Sequence, residues 1–239
     1  MKQEKMWVEL AKYYDLIYAR KDYNKESKII SRLIQKHKKT SGNELLDVAC
    51  GTANHIQFLK DKYIVTGIDA NRQMLMVAQK KFKDITFEKA NMIDFNLGKK
   101  FDIITCLFSA IGYVETYENL NKTIASFAQH LKKGGVLIIE PFFTKESYHP
   151  GTIHMNVVDK PDVKICRMNV SQKRGNIATL DFHFLIATKK GIGFLRDKHQ
   201  LALFDVKPFL TILKNNCFQA KFLKNGLMKG RGLYVAIKK

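Results

Sequence analysis

Leu45-Leu46-Asp47-Val48-Ala49-Cys50-Gly51-Thr52-Ala53-Asn54 is the stretch on which the reading of this 239-residue chain turns. A short apolar run carries an acidic residue, a tight turn of small residues follows, and a helical pattern through Ile56 and Leu59 comes next. Small residues let a backbone come close to a ligand, and a helix N-terminus favours negative charge. Such turns also join strands to helices for purely structural reasons, so the stretch alone leaves both readings open. Further on, Asp69 closes a second apolar run, Tyr63-Ile64-Val65-Thr66-Gly67-Ile68-Asp69, and precedes Ala70-Asn71. An acidic residue at the end of the second strand reaches ribose hydroxyls with both carboxylate oxygens. Capping the next helix is its alternative role. Dinucleotide binding uses the same geometry, so Asp69 does not choose the cofactor.

Outward from this pair of runs, the chain alternates short apolar strands with amphipathic helices. A helix is expected over residues 24–38, with Ile29, Ile30, Leu33 and Ile34 on its apolar stripe. Another carries Met74, Leu75 and Ala78, and a third spans 117–132, where Gly134-Gly135 is expected to act as its C-cap. Strands are expected at 44–49, 63–69, 85–89, 101–107 and 135–140. Apolar strands separated by helices mean a parallel sheet covered on both faces. Residues 153–204 instead alternate polar and apolar, as in Ala178-Thr179-Leu180-Asp181-Phe182-His183-Phe184, which predicts three or four antiparallel strands. A last helix around Phe209, Leu210 and Leu213 leads to strands near 219–224 and 232–237. The expected fold is α/β: a Rossmann-like, seven-stranded, mostly parallel sheet with helices on both faces and an inserted antiparallel β layer. Within this single domain, residues 1–40 form an N-terminal helical lid and 41–150 the cofactor-binding half. Residues 151–204 are expected to supply the inserted antiparallel strands over a ligand pocket, and 205–239 to close the sheet.

Composition narrows the function. With 46% hydrophobic residues the chain can bury one sizeable core, and no apolar run approaches the ~20 residues of a membrane helix. The N-terminus lacks the apolar core of a signal peptide, so a cytoplasmic protein is expected. Cys50, Cys106, Cys166 and Cys217 form no CxxC pair and have no histidine at ligand spacing, so they are expected reduced and mostly buried, with no metal site. The net charge of +19 fits either a nucleic-acid partner or an anionic small molecule steered electrostatically. Its lysines are scattered in pairs such as Lys38-Lys39 and Lys132-Lys133, without a block of arginines and aromatics, which favours the small molecule.

The ordered series Leu46-Asp47-Val48-Ala49-Cys50-Gly51-Thr52, Gly67-Ile68-Asp69, Asn91-Met92-Ile93-Asp94-Phe95, Phe101-Asp102-Ile103-Ile104 and Leu131-Lys132-Lys133-Gly134-Gly135 resembles the class I S-adenosylmethionine-dependent methyltransferases. By that resemblance the cofactor is S-adenosylmethionine, leaving as S-adenosylhomocysteine. Ala49, Gly51 and Thr52 would lie against its amino-acid end, Asp69 would hold the ribose, and Ala70 and Met74 would flank adenine. Asn91 and Met92 would sit at the adenine edge, with Phe108 and Ser109 near the sulfonium. Tyr14, Asp47, His55 and Ile93 complete the expected cofactor set. Two departures stand out: Ala53 replaces the family's last glycine in the first turn, and Asn91 replaces an acidic residue. Both are expected to weaken affinity rather than abolish function.

A closer likeness covers the full chain. Tyr14-Asp15-Leu16-Ile17-Tyr18, Phe108-Ser109-Ala110-Ile111-Gly112-Tyr113, Glu140-Pro141-Phe142-Phe143, Asp181-Phe182-His183-Phe184, His199-Gln200-Leu201-Ala202-Leu203-Phe204 and Gly230-Arg231-Gly232-Leu233 resemble the TDP-amino-sugar N,N-dimethyltransferases of deoxysugar biosynthesis. The implied acceptor is the amino group of a nucleotide-linked amino sugar. The same scaffold could serve another small amine or hydroxyl compound, an RNA, or a non-catalytic cofactor-binding regulator. The likeness puts Tyr18 and Tyr113 beside the acceptor as catalytic candidates, with ordinary aromatic packing as the alternative. Phe142, Phe143, His183, His199 and Arg231 are the substrate-binding candidates. Arg231 suits a diphosphate, because guanidinium binds phosphate as a bidentate fork; a salt bridge is its alternative. The two strand histidines could equally be structural. His37 and His130 fall near helix C-termini, where they complement the dipole. Either a monomer or a homodimer is compatible with the pattern.

Overall fold

A computed structural model describes residues 2–239 of the chain, with side chains from Leu10 onward. Two helices lead, α1 (Lys2–Ile17) and α2 (Tyr23–His37). They are followed by β1 (Glu44–Val48), α3 (Ile56–Leu59), β2 (Ile64–Asp69), α4 (Arg72–Lys81), β3 (Thr86–Lys89) and β4 (Phe101–Cys106). After a 3-10 turn at Ala110–Val114 come α5 (Tyr117–His130) and β5 (Leu131–Ile139). Four long strands follow, β6 (Ile153–Lys160), β7 (Val163–Arg174), β8 (Ile177–Thr188) and β9 (Gly191–Ala202). The chain ends with α6 (Val206–Asn215), β10 (Phe218–Leu223) and β11 (Leu233–Lys238). Side-chain caps start α2, α4 and α5: Asp22 accepts from Lys25 N (2.8 Å), Asn71 from Gln73 N (2.9 Å) and Thr116 from Asn119 N (3.1 Å). Asn71, and not Asp69, therefore caps α4.

The main sheet runs β10-β11-β5-β4-β1-β2-β3, parallel except where β11 opposes both β5 and β10. Alternate residues feed two separate cores. Leu46, Ile104, Leu137 and Ile139 pack with α5 and α6 through Phe127, Phe209 and Leu213. Leu45, Ile103, Val136 and Ile138 pack on the other face with Ile30, Ile34, Leu75 and Ala78 of α2 and α4. Burial on both faces is why these strands read as unbroken apolar runs. Strand order reverses between β1 and β4, and in such sheets a crevice opens at the carboxyl ends of the strands.

The strands β6-β7-β8-β9 form a separate antiparallel sheet. Its inner face meets α1: Leu10 and Ile17 pack against Val158, Ile165, Phe184 and Ile186. No helix among the described residues is long and apolar enough to cross a membrane.

Three expectations need correction. Helix α5 ends at His130, and Gly134-Gly135 lie inside β5, so they are no C-cap. Gly134 has φ +81° at an irregularity in the β4–β5 register, and a Cβ on Gly135 would lie 2.8 Å from Lys132 O and 2.9 Å from Asp102 O. The pair allows close strand approach. His130 does not serve the helix dipole as a cation: its Nε2 accepts from Leu97 N (3.1 Å) and its Nδ1 donates to Ser126 O (2.8 Å), which fixes a neutral ring. All four cysteines are free, but only Cys106 is buried, and Cys217 is exposed.

Candidate active site

A cavity of about 1210 Å³ opens at the reversal point, bounded by the β1, β2 and β4 ends, by α1, and by the inner face of β6–β9. Every residue expected to bind cofactor or substrate or to act in catalysis lines it except His183. That histidine sits on the outer face of the antiparallel sheet, where it is exposed beside Asp181 (3.5 Å) and Phe194, so it is not a pocket residue.

The turn after β1 forms the floor. Ala49, Gly51 and Ala53 all adopt left-handed backbone conformations, at φ +57°, +56° and +65°. Only glycine does so without a steric penalty. Asp69 holds this loop, accepting from Gly51 N (2.8 Å) and, with its other oxygen, from Asn71 N (2.7 Å). Burial raises its pKa, and the two amides oppose the rise. Asp47 is 3% exposed and accepts from Thr105 Oγ1 (2.7 Å). Burial pushes its carboxyl up to about 6, against the pull of His55 and Thr105. Helix α1 is tied across the loop by one carboxylate: Asp15 accepts from Thr52 Oγ1 (2.6 Å), Asn54 Nδ2 (2.9 Å) and Lys81 Nζ (2.9 Å).

The turn after β4 is the second strained element. Phe108 and Ser109 are both left-handed, at φ +52° and +65°. They are locked by the end of β5: Glu140 accepts from Phe108 N (2.7 Å), and Ser109 Oγ donates to Pro141 O (3.0 Å). Arg231 Nη1 donates to Ser109 Oγ (2.9 Å), and its guanidinium lies over the rings of Phe108, Phe142 and Phe143 at 5.2–5.9 Å. Its Nε and Glu140 Oε1 are buried without a partner. Burial raises Glu140 and lowers Arg231, each opposed by the other's charge. Behind them Glu26 pairs with Lys21 and with His55 (2.8 Å). Burial works to raise Glu26, but these two contacts hold it below the usual range.

The opposite wall belongs to the antiparallel sheet. Arg167 donates to the Tyr18 hydroxyl (3.0 Å) and stacks on Phe182 (4.8 Å). The Tyr113 hydroxyl meets His199 Nδ1 (2.7 Å), and His199 Nε2 meets Asp197 Oδ2 (2.6 Å). Burial, followed by the nearby Tyr18, Asp197 and Asp69, raises the Tyr113 pKa strongly, so its phenol stays protonated.

A methyltransferase domain family matches residues 45–135, which span the floor and the β4 turn. The dTDP-3-amino-3,4,6-trideoxy-α-D-glucopyranose N,N-dimethyltransferase of Streptomyces venezuelae is 34% identical over 234 residues, 96% of this chain and 98% of that protein. The chain belongs to the methyltransferase family of the TDP-amino-sugar N,N-dimethyltransferases. It is an enzyme of methyl transfer. The crystal structure of Streptomyces venezuelae DesVI superposes with a TM-score of 0.90 at 33% identity, covering 96% of this chain and 98% of that one. The S-adenosylmethionine-bound CalS10, an amino pentose methyltransferase from Micromonospora echinaspora, superposes with a TM-score of 0.83 at 25% identity, covering 92% of each chain.

The cavity fits the cofactor of this family on its own terms. A Cβ on Gly51 would meet no protein atom within 4 Å, so the space before the loop is open to a ligand. Asp47 and Asp69 are two largely buried carboxyls that line the floor, suited to a ligand that carries cationic groups and ribose hydroxyls. Sequence reasoning did not select Asp15, Lys21, Glu26, Glu140, Arg167 or Asp197 as site residues. Asp15 and Glu140 lay inside quoted motifs, whereas Arg167 and Asp197 occupy ordinary alternating strand positions and carried no signal of their own.

Proposed function

We propose that the protein methylates the amino group of a nucleotide-linked amino sugar, with S-adenosylmethionine as donor. The observation that carries this reading is one continuous cavity in which the Asp69 floor and the β4 turn face two tyrosine hydroxyls and two guanidinium groups, Arg167 and Arg231. The substrate named for the Streptomyces venezuelae relative supports it. When bound, the cofactor supplies a methyl group already activated by a sulfonium charge.

The chain's own residues bind, align and exclude water. Asp69 would take the ribose hydroxyls, and Ala70, Met74, Asn91, Met92 and Ile93 the adenine. Asp47, Ala49, Gly51, Thr52, His55 and Tyr14 would hold the amino-acid end, and Phe108 and Ser109 the reacting sulfur. Tyr18 and Tyr113 would orient the acceptor amine in line with the methyl carbon, where alignment is the main source of rate. Arg231, with Arg167, would meet the diphosphate, and Phe142, Phe143 and His199 would complete the acceptor wall. Helix α1, tied through Asp15, would act as the lid that closes over the cofactor and keeps the site dry.

The test is label transfer from methyl-labelled S-adenosylmethionine to a panel of TDP-amino sugars, free amines, small hydroxyl compounds and bulk RNA, read by mass. Transfer to a TDP-amino sugar, abolished by Asp69→Ala and weakened by Arg231→Ala, is the expected result. Transfer only to another acceptor would overturn the substrate assignment and leave methyl transfer standing.

A further inference from the structure

An amine carried as an ammonium ion has no lone pair, so methylation needs a route for one proton out of a closed cavity. We propose that Asp197, His199 and Tyr113 form that route, with Tyr113 touching the acceptor nitrogen and His199 receiving the proton through it. The proposal rests on the amino-group reading above.

For a neutral His199 ring, hydrogen-bond bookkeeping gives the direction of the chain. An Asp197 carboxylate can only accept, so the 2.6 Å contact puts a hydrogen on His199 Nε2. In a neutral ring Nδ1 is then the acceptor, so at 2.7 Å the Tyr113 hydroxyl donates to it. The lone pairs of that hydroxyl are left to accept an N–H from a ligand. Tyr113 lines the cavity and keeps 47% of its surface accessible there. Asp197 is 5% exposed, so its charge is little screened.

The placement is built in at several points. On β9, Asp197, His199 and Leu201 share the inner face, and the 3-10 turn that carries Tyr113 presses directly on Leu201. A Cβ on Gly112 would lie 2.9 Å from Leu201 Cδ2, so glycine there lets the turn come close enough for the Tyr113 contact. The Phe182 ring packs edge-on to His199 at 5.3 Å.

The step balances as follows. The acceptor N–H bond breaks, its electron pair stays on nitrogen as the nucleophilic lone pair, and the proton passes to the Tyr113 oxygen. The Tyr113 hydroxyl proton moves at once to His199 Nδ1, so the phenol ends neutral and the imidazolium faces Asp197. The imidazolium returns its proton to solvent before the next cycle. Among the described residues, the charged and titratable groups around this path include Asp197 on β9, Tyr14 on α1, Tyr18 just beyond it, and Asp69 at the end of β2. Arg167 on β7 stands behind Phe182.

The experiment combines pH profiles with nitrogen NMR on the full-length protein. Turnover of a TDP-amino sugar is followed for wild type, Tyr113→Phe, His199→Gln and Asp197→Asn, with cofactor affinity measured by calorimetry. General-base assistance is worth about 100-fold or more. Tyr113→Phe and His199→Gln should each lose about 100-fold in kcat at neutral pH, with the acid limb moved upward and cofactor affinity unchanged. Asp197→Asn should shift the same limb with a smaller loss. In histidine-labelled wild type, His199 should appear as the neutral Nε2–H form. An active wild type whose variants keep kcat and its pH profile, or an Nδ1–H form of His199, would overturn the relay alone. A wild type inactive on every amino-sugar nucleotide would overturn the acceptor reading and the relay's role in it.

Discussion

Replacing Asp47 by Asn should make the cofactor-free protein more stable near pH 8 and no more stable near pH 4. The carboxyl is 3% exposed, and burial raises its pKa from 3.8 to about 6. At about 1.4 kcal/mol per tenfold change in proton affinity, the ionised form costs the fold about 3 kcal/mol above pH ~6. A raised carboxyl pKa contributes no penalty below the unfolded value and its full penalty above the folded one, so the gain from Asn should grow as pH rises from ~4 through ~6. Asparagine keeps an oxygen to accept from Thr105 Oγ1 but must seat an amide where the second carboxylate oxygen was, so the net gain is about 1–3 kcal/mol. The attraction of His55 for Asp47 already enters the net shift. Urea unfolding at a series of pH values, wild type against Asp47→Asn and without cofactor, measures it; for a domain of this size each kcal/mol moves Tm by roughly 2–4 °C. A stability difference independent of pH, or a variant less stable at pH 8, would refute the assignment of a strained buried carboxyl. The same variant should bind S-adenosylmethionine more weakly, because the charge that costs stability faces the cavity.

Asp69→Ala removes the acceptor of two backbone amides at 2.7 and 2.8 Å together with the expected ribose contacts, and calorimetry should show cofactor affinity reduced by about 100-fold or more. Asp15→Ala releases Thr52, Asn54 and Lys81 from α1, and stopped-flow dissociation of S-adenosylhomocysteine should become roughly tenfold faster. Gly135→Ala drives a methyl into two backbone carbonyls at 2.8 and 2.9 Å, and should destabilise the fold by about 1–3 kcal/mol in urea unfolding. Binding S-adenosylmethionine at pH ~6 should release about half a proton, because its cationic groups pull Asp47 back to full ionisation; calorimetry in buffers of different ionisation enthalpy reads this, and the release should vanish near pH 8.

The sheet was legible because both its faces are buried, which gives β1, β4 and β5 short apolar runs of strand length set between helical patterns. Asp69 was legible because its spacing from the first turn is set by one strand-helix-strand repeat. The end of α5 was misread because Gly-Gly serves a helix cap and a strand irregularity equally well; what decides is the Asp102 carbonyl beside Gly135, contributed by a different strand. His183 was misplaced although its parity was on view: Leu180, Phe182 and Phe184 are the apolar set of β8, which sends Asp181 and His183 to the opposite face. Asp197 and Arg167 could not be found this way. Their alternation gives them a face, but only the docking of that face over the β1–β4 crevice makes a strand residue a site residue.

Local rules are broken together in one place, and the breaks support one another. Left-handed Ala49, Ala53, Phe108 and Ser109 each cost about 1–2 kcal/mol, and a buried Asp47 costs more. A chain selected for stability alone would place glycine at these turns, yet only Gly51 does so here. Ala53 shows that the turn is held by its surroundings: its methyl is fully buried in the core beneath the floor, so packing offsets the strain that glycine would relieve. The Phe108-Ser109 turn is held likewise by Glu140, Pro141 and Arg231, all from beyond β4. Both turns are thus fixed before any ligand arrives. In-line displacement gains most from that arrangement, since the reacting atoms must be aligned without further ordering of the protein. Strain at the two turns and buried charge at the floor are therefore one feature, a rigid cationic-ligand seat.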